Sequence, residues 1–244
     1  MKYEKIADHL YSIDTNDLGL KNRTTSYIIV DDKIALIETS ASPSIPYILN
    51  ALEELHIKPS DIDYLILTHI HLDHAGGAGV MMKYCPNATV LVHPKGVLHL
   101  VDPSRLIASA RSVYGENFDA IFGEILPIQE KQLYAIGDRE IIRLGSSTLT
   151  FYYTKGHANH HISIHESLTN GMFVGDTTGV YYPDMTGEEF DVILPSTSPN
   201  QFDPNLMEDS IQLFEKIKPN VLYFGHYGSY THPQFAYAEV RRYL

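Results

Sequence analysis

Residues His69-Ile70-His71-Leu72-Asp73-His74, with Ala75-Gly76-Gly77 directly behind them, bring three imidazoles and a carboxylate into six positions. Groups this polar are costly to gather unless something binds them, and for imidazole beside carboxylate the usual partner is a metal ion. That constrains the fold, because such donors need a rigid support with one open side. The preceding run, Tyr64-Leu65-Ile66-Leu67-Thr68, is short and apolar enough for a strand buried on both faces. Donors that begin where such a strand ends sit where open α/β sheets place their ligands.

The rest of the chain reads as a scaffold for that edge. Residues 10–13, 26–30 and 34–37 read as strands, with Asp31-Asp32 turning between the last two. Ile45, Ile48, Leu49, Leu52 and Leu55 then recur at helical spacing, and Pro59 marks the stop. A helix is expected over 75–84 and a strand over 88–92. Gly76 and Gly77 either let the backbone pass close to the site or allow helix to pack tightly on sheet. From 94 to 127 the strand rhythm gives way to two helices, near 104–114 and 116–125. An insertion of this length serves as a lid or substrate wall about as often as it serves plain packing, and Arg105, Arg111 and Tyr114 are its polar groups. Strands resume at 140–144, 149–153, 162–165 and 172–174. A proline-bearing loop at 194–199 precedes a helix over 204–216 and a strand over 221–224. No repeat, low-complexity tract or break in composition divides residues 1–244, so a single domain carrying a helical lid-like insertion at 94–127 is expected.

Composition narrows the partners. With 244 residues, 44% of them hydrophobic, the chain can bury a large core. A net charge of -12 disfavours nucleic acid, whose binding needs a basic face to displace counterions. A neutral or small polar substrate, a small molecule in either case, fits better. Cys85 is the sole cysteine, so no disulfide forms within the chain and a metal site must use nitrogen and oxygen. The first residues lack an apolar signal core and no apolar run nears the ~20 residues that span a bilayer. A cytoplasmic protein with no membrane partner is expected.

Three later positions share one form: an apolar strand, a glycine, then His157, Asp176 or His226. With His69, His71, Asp73 and His74 they make seven candidate donors. Seven are too many for one four-coordinate ion but suit two ions sharing a carboxylate. No Gly-x-Ser-x-Gly elbow or phosphate loop competes with this chemistry.

These residues resemble the metallo-β-lactamase superfamily, on its glyoxalase II-like side. Thr68 through Gly77 resembles its signature without a break, and Thr154-Lys155-Gly156-His157-Ala158-Asn159-His160-His161-Ile162-Ser163 resembles its second motif. Lys155, Asn159 and His160 depart there from the more usual Pro, Pro and Gly. Gly175-Asp176 and Phe224-Gly225-His226 match the later motifs, so the similarity runs from about residue 28 to 227. The resemblance implies an α/β fold of the αββα type, a four-layer sandwich of two mixed β-sheets flanked by helices. It implies that His69, His71 and His157 hold one divalent ion, that Asp73, His74 and His226 hold a second, and that Asp176 bridges them. Zinc is the first expectation, iron or manganese the alternatives.

The implied activity is that of a binuclear hydrolase, in which a metal-bridging hydroxide attacks an ester-like bond, such as a thioester, lactone or related carbonyl ester. Asp73 and Asp176 are the catalytic carboxylates, with Asp73 the candidate to protonate the leaving group. Tyr181, Tyr182 and Tyr227 lie near Asp176 and His226 and could donate to an oxyanion, although ordinary packing is the commoner fate of a tyrosine. His161 is expected to support a ligand or to face the substrate. His9, His56, His93, His99, His165 and His232 are read as structural or surface residues. The alternative reading is a non-haem diiron protein that binds or reduces oxygen. Flavodiiron relatives usually carry Glu where this chain has His71, and no flavin domain is read here. A catalytically silent binding module fits poorly with a full ligand set. A homodimer is compatible with all of this. Typical glyoxalase II enzymes bind glutathione through a helical region after the last ligand, which the residues beyond His226 are too few to supply, so glutathione thioesters are not the expected substrate.

Overall fold

The near-continuous apolar runs of the early strands, such as Ile34–Ile37, demand cover on both faces, and the chain provides it. The structure, a computed structural model, describes residues 3–187, 190–197 and 200–244. Strands β1 (Glu4–Ala7), β2 (Leu10–Asp14), β3 (Thr25–Val30) and β4 (Ile34–Ile37) form an antiparallel meander. Helix α1 (Ile45–Glu54) crosses over, and β5 (Ile62–Ile66) returns parallel to β4. Helices α2 (Leu72–Ala75) and α3 (Ala78–Tyr84) lead to β6 (Thr89–Val92). Then α4 (Val97–Val101), α5 (Ser104–Tyr114) and α6 (Phe118–Phe122) lead to β7 (Leu133–Ala135), which closes a seven-stranded sheet in chain order.

The second half mirrors this plan. Strands β8 (Ile141–Arg143), β9 (Thr148–Tyr153), β10 (Ile162–Glu166) and β11 (Gly171–Gly175) run antiparallel. The short pair β12 (Val180–Tyr181) and β13 (Ile193–Leu194) stands apart, and α7 (Pro204–Ile217) crosses to β14 (Val221–Phe224), which lies parallel to β11. Strand β15 (Gly228–Tyr230) and α8 (Pro233–Tyr243) finish the chain. The six-stranded sheet has the order β15-β14-β11-β10-β9-β8.

Burial shows the layers. Tyr27 and Ile29 of β3, Ala35 and Ile37 of β4 and Ile66 of β5 meet Phe151, Ile162, Ile164, Phe173 and Tyr223 between the two sheets. Their neighbours Ile28, Leu36 and Leu65 turn outward onto Ile48 and Leu52 of α1 and Met81 of α3. On the far side, Met172 and Val174 of β11 and Leu222 and Phe224 of β14 pack on Met207, Ile211 and Phe214 of α7 and Tyr237 and Val240 of α8. Each such side chain contributes about 1.5–3 kcal/mol by leaving water. Three apolar layers between four of secondary structure make the αββα sandwich that the resemblance implies.

Several local expectations need correction. Pro59 does not stop α1; the helix ends at Glu54, and His56 takes a left-handed conformation (φ 59°) before Pro59 opens a short 3-10 turn. The helix expected over 75–84 is broken into α2 and α3 at Gly76-Gly77. A Cβ on Gly77 would lie 2.7 Å from Ile45 Cδ1, so this glycine serves helix packing rather than an approach to the site. In the insertion, α6 covers only part of 116–125, and α4 precedes the two expected helices. Of the loop expected at 194–199, Ser198 and Pro199 lie outside the described residues.

Candidate metal centre

Strand β5 ends at Ile66, and the chain runs on without helix through His69 and Ile70 to His71, which is the N-cap of α2. Asp73 and His74 then sit on the first turn of α2. His157 follows β9, Asp176 follows β11 at once, and His226 follows β14 after Gly225. Both sheets therefore deliver donors to one edge. Gly175 shows why a glycine precedes Asp176: its φ is +51°, and a Cβ there would fall onto His161 Nε2 and to 2.7 Å from Thr68 Oγ1. A Cβ on Gly225 would lie 2.7 Å from His74 Cε1.

All seven predicted donors converge. His71 Nδ1 lies 2.9 Å from His157 Nε2, and His74 Nε2 lies 3.1 Å from His226 Nε2 and 3.1 Å from Asp176 Oδ1. His226 Nε2 is 3.3 Å from Asp73 Oδ2, and His157 Nε2 is 3.5 Å from Asp176 Oδ2. The ligand atoms of His69, His71 and His157 lie within 4.8 Å of one another, as do those of Asp73, His74 and His226.

The outer hydrogen bonds assign the tautomers. His157 Nδ1–H donates to the Ser196 carbonyl (3.0 Å) and His226 Nδ1–H to the Arg23 carbonyl (3.0 Å), so each Nε2 turns a lone pair inward. His74 Nδ1–H donates to Glu38. His69 Nε2 is buried without a hydrogen-bond partner. Two imidazole nitrogens about 3 Å apart need a proton or a metal cation between them. Metal-bound histidines are held in this manner, with the outer nitrogen anchored and the inner one bare.

Electrostatics point the same way. Burial and the neighbouring imidazoles hold His69 well below its ordinary pKa and bring His71 down to about 4. Burial would also lower His74, yet the carboxylates of Asp176, Asp73 and Glu38 hold it well above its ordinary value. Burial would raise Asp176, but His74, His226 and His157 keep it ionised. The centre is thus a place where positive charge is stabilised, as a proton or as a metal ion.

His161 does not face the substrate side. It is fully buried, accepts from the Asp176 backbone N–H (3.1 Å) through Nε2, and has Thr154 Oγ1 and Thr177 Oγ1 at 2.9 and 3.0 Å from Nδ1. It fixes the chain at Asp176. Tyr181 and Tyr182 line the cavity above the centre, whereas Tyr227 is not among its lining residues. Sequence reasoning missed Glu38, which is 2% exposed, holds His74 and accepts the Thr68 N–H (2.6 Å). It also missed Ser196, whose Oγ–H donates to Asp176 Oδ2 (2.9 Å). His160, passed over in the sequence as a departure from a motif, is buried with its ring 5.4 Å from that of His71 and lines the cavity.

An αββα sandwich with a metal-binding histidine and aspartate cluster at the strand ends defines the class. Residues 20–226 match the metallo-beta-lactamase superfamily, and the chain belongs to that family. It is 27% identical over 223 residues, 90% of this chain and 78% of the other, to a metallo-beta-lactamase fold-containing protein of Sulfurisphaera tokodaii. The crystal structure of an archaeal metallo-beta-lactamase superfamily protein from Sulfolobus tokodaii superposes with a TM-score of 0.80 at 25% identity, covering 97% of this chain and 86% of that one. A probable metallo-hydrolase of Methanocaldococcus jannaschii is 31% identical over 165 residues, 67% of this chain and 71% of that protein. A nitric oxide reductase of Moorella thermoacetica is 39% identical over 66 residues, 27% of this chain and 16% of that protein.

Proposed function

We propose that the protein is a binuclear metal-dependent hydrolase of ester-like bonds in small molecules. The observation that carries the reading is the pair of facing imidazole contacts, His71 with His157 and His74 with His226, each about 3 Å across and grouped around Asp176. His69, His71 and His157 would hold one divalent ion and Asp73, His74 and His226 a second, with Asp176 between them. Nitrogen and oxygen donors of this kind suit zinc first, then iron or manganese. When bound, the ions supply an acidified water and an electrophile for the substrate carbonyl.

The chain's own residues do the rest. The acyl carbon–oxygen or carbon–sulfur bond breaks, water's hydroxyl stays with the acyl group, and its proton leaves with the alcohol or thiol. Asp73, with its side chain 39% exposed at the cavity floor, is placed to carry that proton. Ser196 and His161 hold the Asp176 carboxylate and backbone in one orientation. Tyr181 and Tyr182 line the same cavity and would be the hydroxyls available to a substrate oxygen. The test is a panel of esters, thioesters and lactones assayed with His71→Ala and Asp176→Ala at matched protein concentration. Turnover should fall at least a thousandfold, on the order expected when a centre that supplies both nucleophile and electrophile is broken. Full activity in both variants refutes the reading.

A second reading, a diiron protein acting on oxygen or nitric oxide, draws support from the stretch shared with the Moorella reductase. An imidazole at His71 suits iron as well as zinc. Absorption spectra of protein purified without oxygen, before and after exposure to air, separate the two, because a zinc enzyme stays colourless.

A further inference from the structure

We infer that the substrate carries an apolar acyl group of medium length, clasped between α5 and the segment around Met185; this deepens the hydrolase reading above and rests on it. The cavity over the metal centre encloses about 950 Å³, at the upper end of the usual range for small-molecule sites. Its floor is the polar cluster already described. Above the floor, apolar side chains come from three separate parts of the chain, Leu20 from the β2–β3 loop, Leu106, Val113 and Phe122 from the insertion, and Met185 beyond β12, while Asn200 and Gln201 line another side. Leu20 is 55% exposed, Val113 75% and Met185 61%. A single exposed leucine needs no explanation, but exposed apolar side chains from distant segments that converge on one cavity mark a binding surface.

The charged groups at the rim are largely spoken for. Arg23 Nε donates to Asp17 (3.2 Å), and Asp184 accepts from Asn22 Nδ2 (2.7 Å), which ties the β2–β3 loop to the segment bearing Met185. Lys21, among the described rim residues, has no such partner. The wall therefore offers a hydrocarbon chain apolar contact from α5 to Met185, with the Lys21 ammonium the one unpaired charge among the described rim residues. The ester carbonyl would lie over Asp176 and Asp73, with the acyl chain running outward past Leu106 to Val113 and Met185.

The test uses metal-loaded protein and straight-chain acyl esters of one alcohol, from acetyl to octanoyl. Each added methylene should raise kcat/KM by up to about fourfold until the wall is filled. The matching carboxylates, which are the products, should bind with affinities that rise along the same series in calorimetry. A flat or falling series in both measurements overturns the inference. Rising carboxylate affinity without any turnover leaves the apolar wall standing and refutes the hydrolase reading alone. In the doubly substituted Val113→Asp, Met185→Asp protein, both positions being exposed, the ratio of octanoyl to acetyl kcat/KM should drop at least tenfold. Circular dichroism and metal content check that the fold is kept. An unchanged ratio in a folded, metal-replete double variant overturns the inference.

Discussion

Replacing Glu38 by glutamine tests how the protein holds one of the two proposed metal ions. One carboxylate oxygen of Glu38 accepts the Thr68 N–H at 2.6 Å and the other accepts from His74 Nδ1. A glutamine of the same shape has one acceptor oxygen and one donor NH2. If the oxygen stays on Thr68, the NH2 faces His74 Nδ1, and two donors collide unless His74 moves its proton to Nε2. That is the nitrogen pointing at His226 and Asp176, so relief of the clash blocks a metal-facing lone pair. Loss of such an outer partner typically weakens metal binding 10–100-fold, about 1.4–2.7 kcal/mol. The loss should fall on the ion held by Asp73, His74 and His226 and spare the one held by His69, His71 and His157. The metal-free protein should lose about 1–3 kcal/mol, because the buried imidazolium of His74 gives up one of the carboxylates that hold it charged. Glu38→Ala differs: it strips two buried donors at about 1–3 kcal/mol each, about 2–6 kcal/mol together. Competition against a chromophoric chelator gives the stepwise affinities, and urea denaturation of metal-free protein gives the stabilities. Two ions bound by Glu38→Gln with wild-type affinity would refute the tautomer argument.

Three further outcomes follow from the same geometry. Gly175→Ala places a side chain at φ +51° against His161 and Thr68; a loss of about 2–4 kcal/mol is expected, read by calorimetry as a melting temperature lower by roughly 5–15 °C, and an unchanged melting temperature contradicts it. Arg241 joins α8 to α7 by paired bonds to Glu208 and Glu215 at 2.7–2.9 Å and holds both carboxyls below the ordinary glutamate value of 4.5. Depressed folded-state pKa values mean a contribution present above 4.5 and lost as pH falls through the lower folded values. Because the pair is one-third exposed, it amounts to about 1 kcal/mol at most, and the stability gap between wild type and Arg241→Leu should shrink on acidification from about pH 6 to pH 3. Removing metal with a chelator should destabilise the fold by about 4 kcal/mol per ion, relative to protein kept in a thousandfold excess over the dissociation constant. Identical unfolding curves with and without chelator contradict the metal assignment.

Much of this was legible in the sequence wherever the signal was local. Ile34–Ile37, Val221–Phe224 and Ser104–Tyr114 stand at the expected residues, because an apolar run or a helical stretch is complete within each. Strand β7 escaped notice because Leu133, Tyr134 and Ala135 sit half-buried or exposed at a sheet edge, where no face demands a pattern. Helix α8 escaped because only Ala236, Tyr237 and Val240 are buried in a stretch otherwise polar. The seven candidate donors could be picked out because four fall within six residues and the other three each follow a glycine. Glu38 could not, since it lies 36 residues before His74 and reaches it only through the parallel pairing of β4 with β5. The carbonyls of Arg23 and Ser196 leave no mark in a sequence, because every residue has one.

The division between centre and wall has a structural cause. The donors follow strands whose ends are stitched across the two sheets: Ile162 N–H donates to the Thr68 carbonyl at 2.8 Å, and Thr25 N–H to the Gly225 carbonyl at 2.9 Å. Neither sheet can slide without moving candidate donors of both clusters, so the centre inherits the rigidity of the core between Tyr27, Phe151 and Phe173. The wall has no such tie. Helix α5 has no fully buried residue and reaches the rest through Leu106, Ile107 and Ala110, packed on Phe118, Phe122 and Leu72. Changes along α5 can therefore alter what enters the cavity while the metal centre keeps its spacing, and changes between the sheets, such as Phe151→Ala, disturb both.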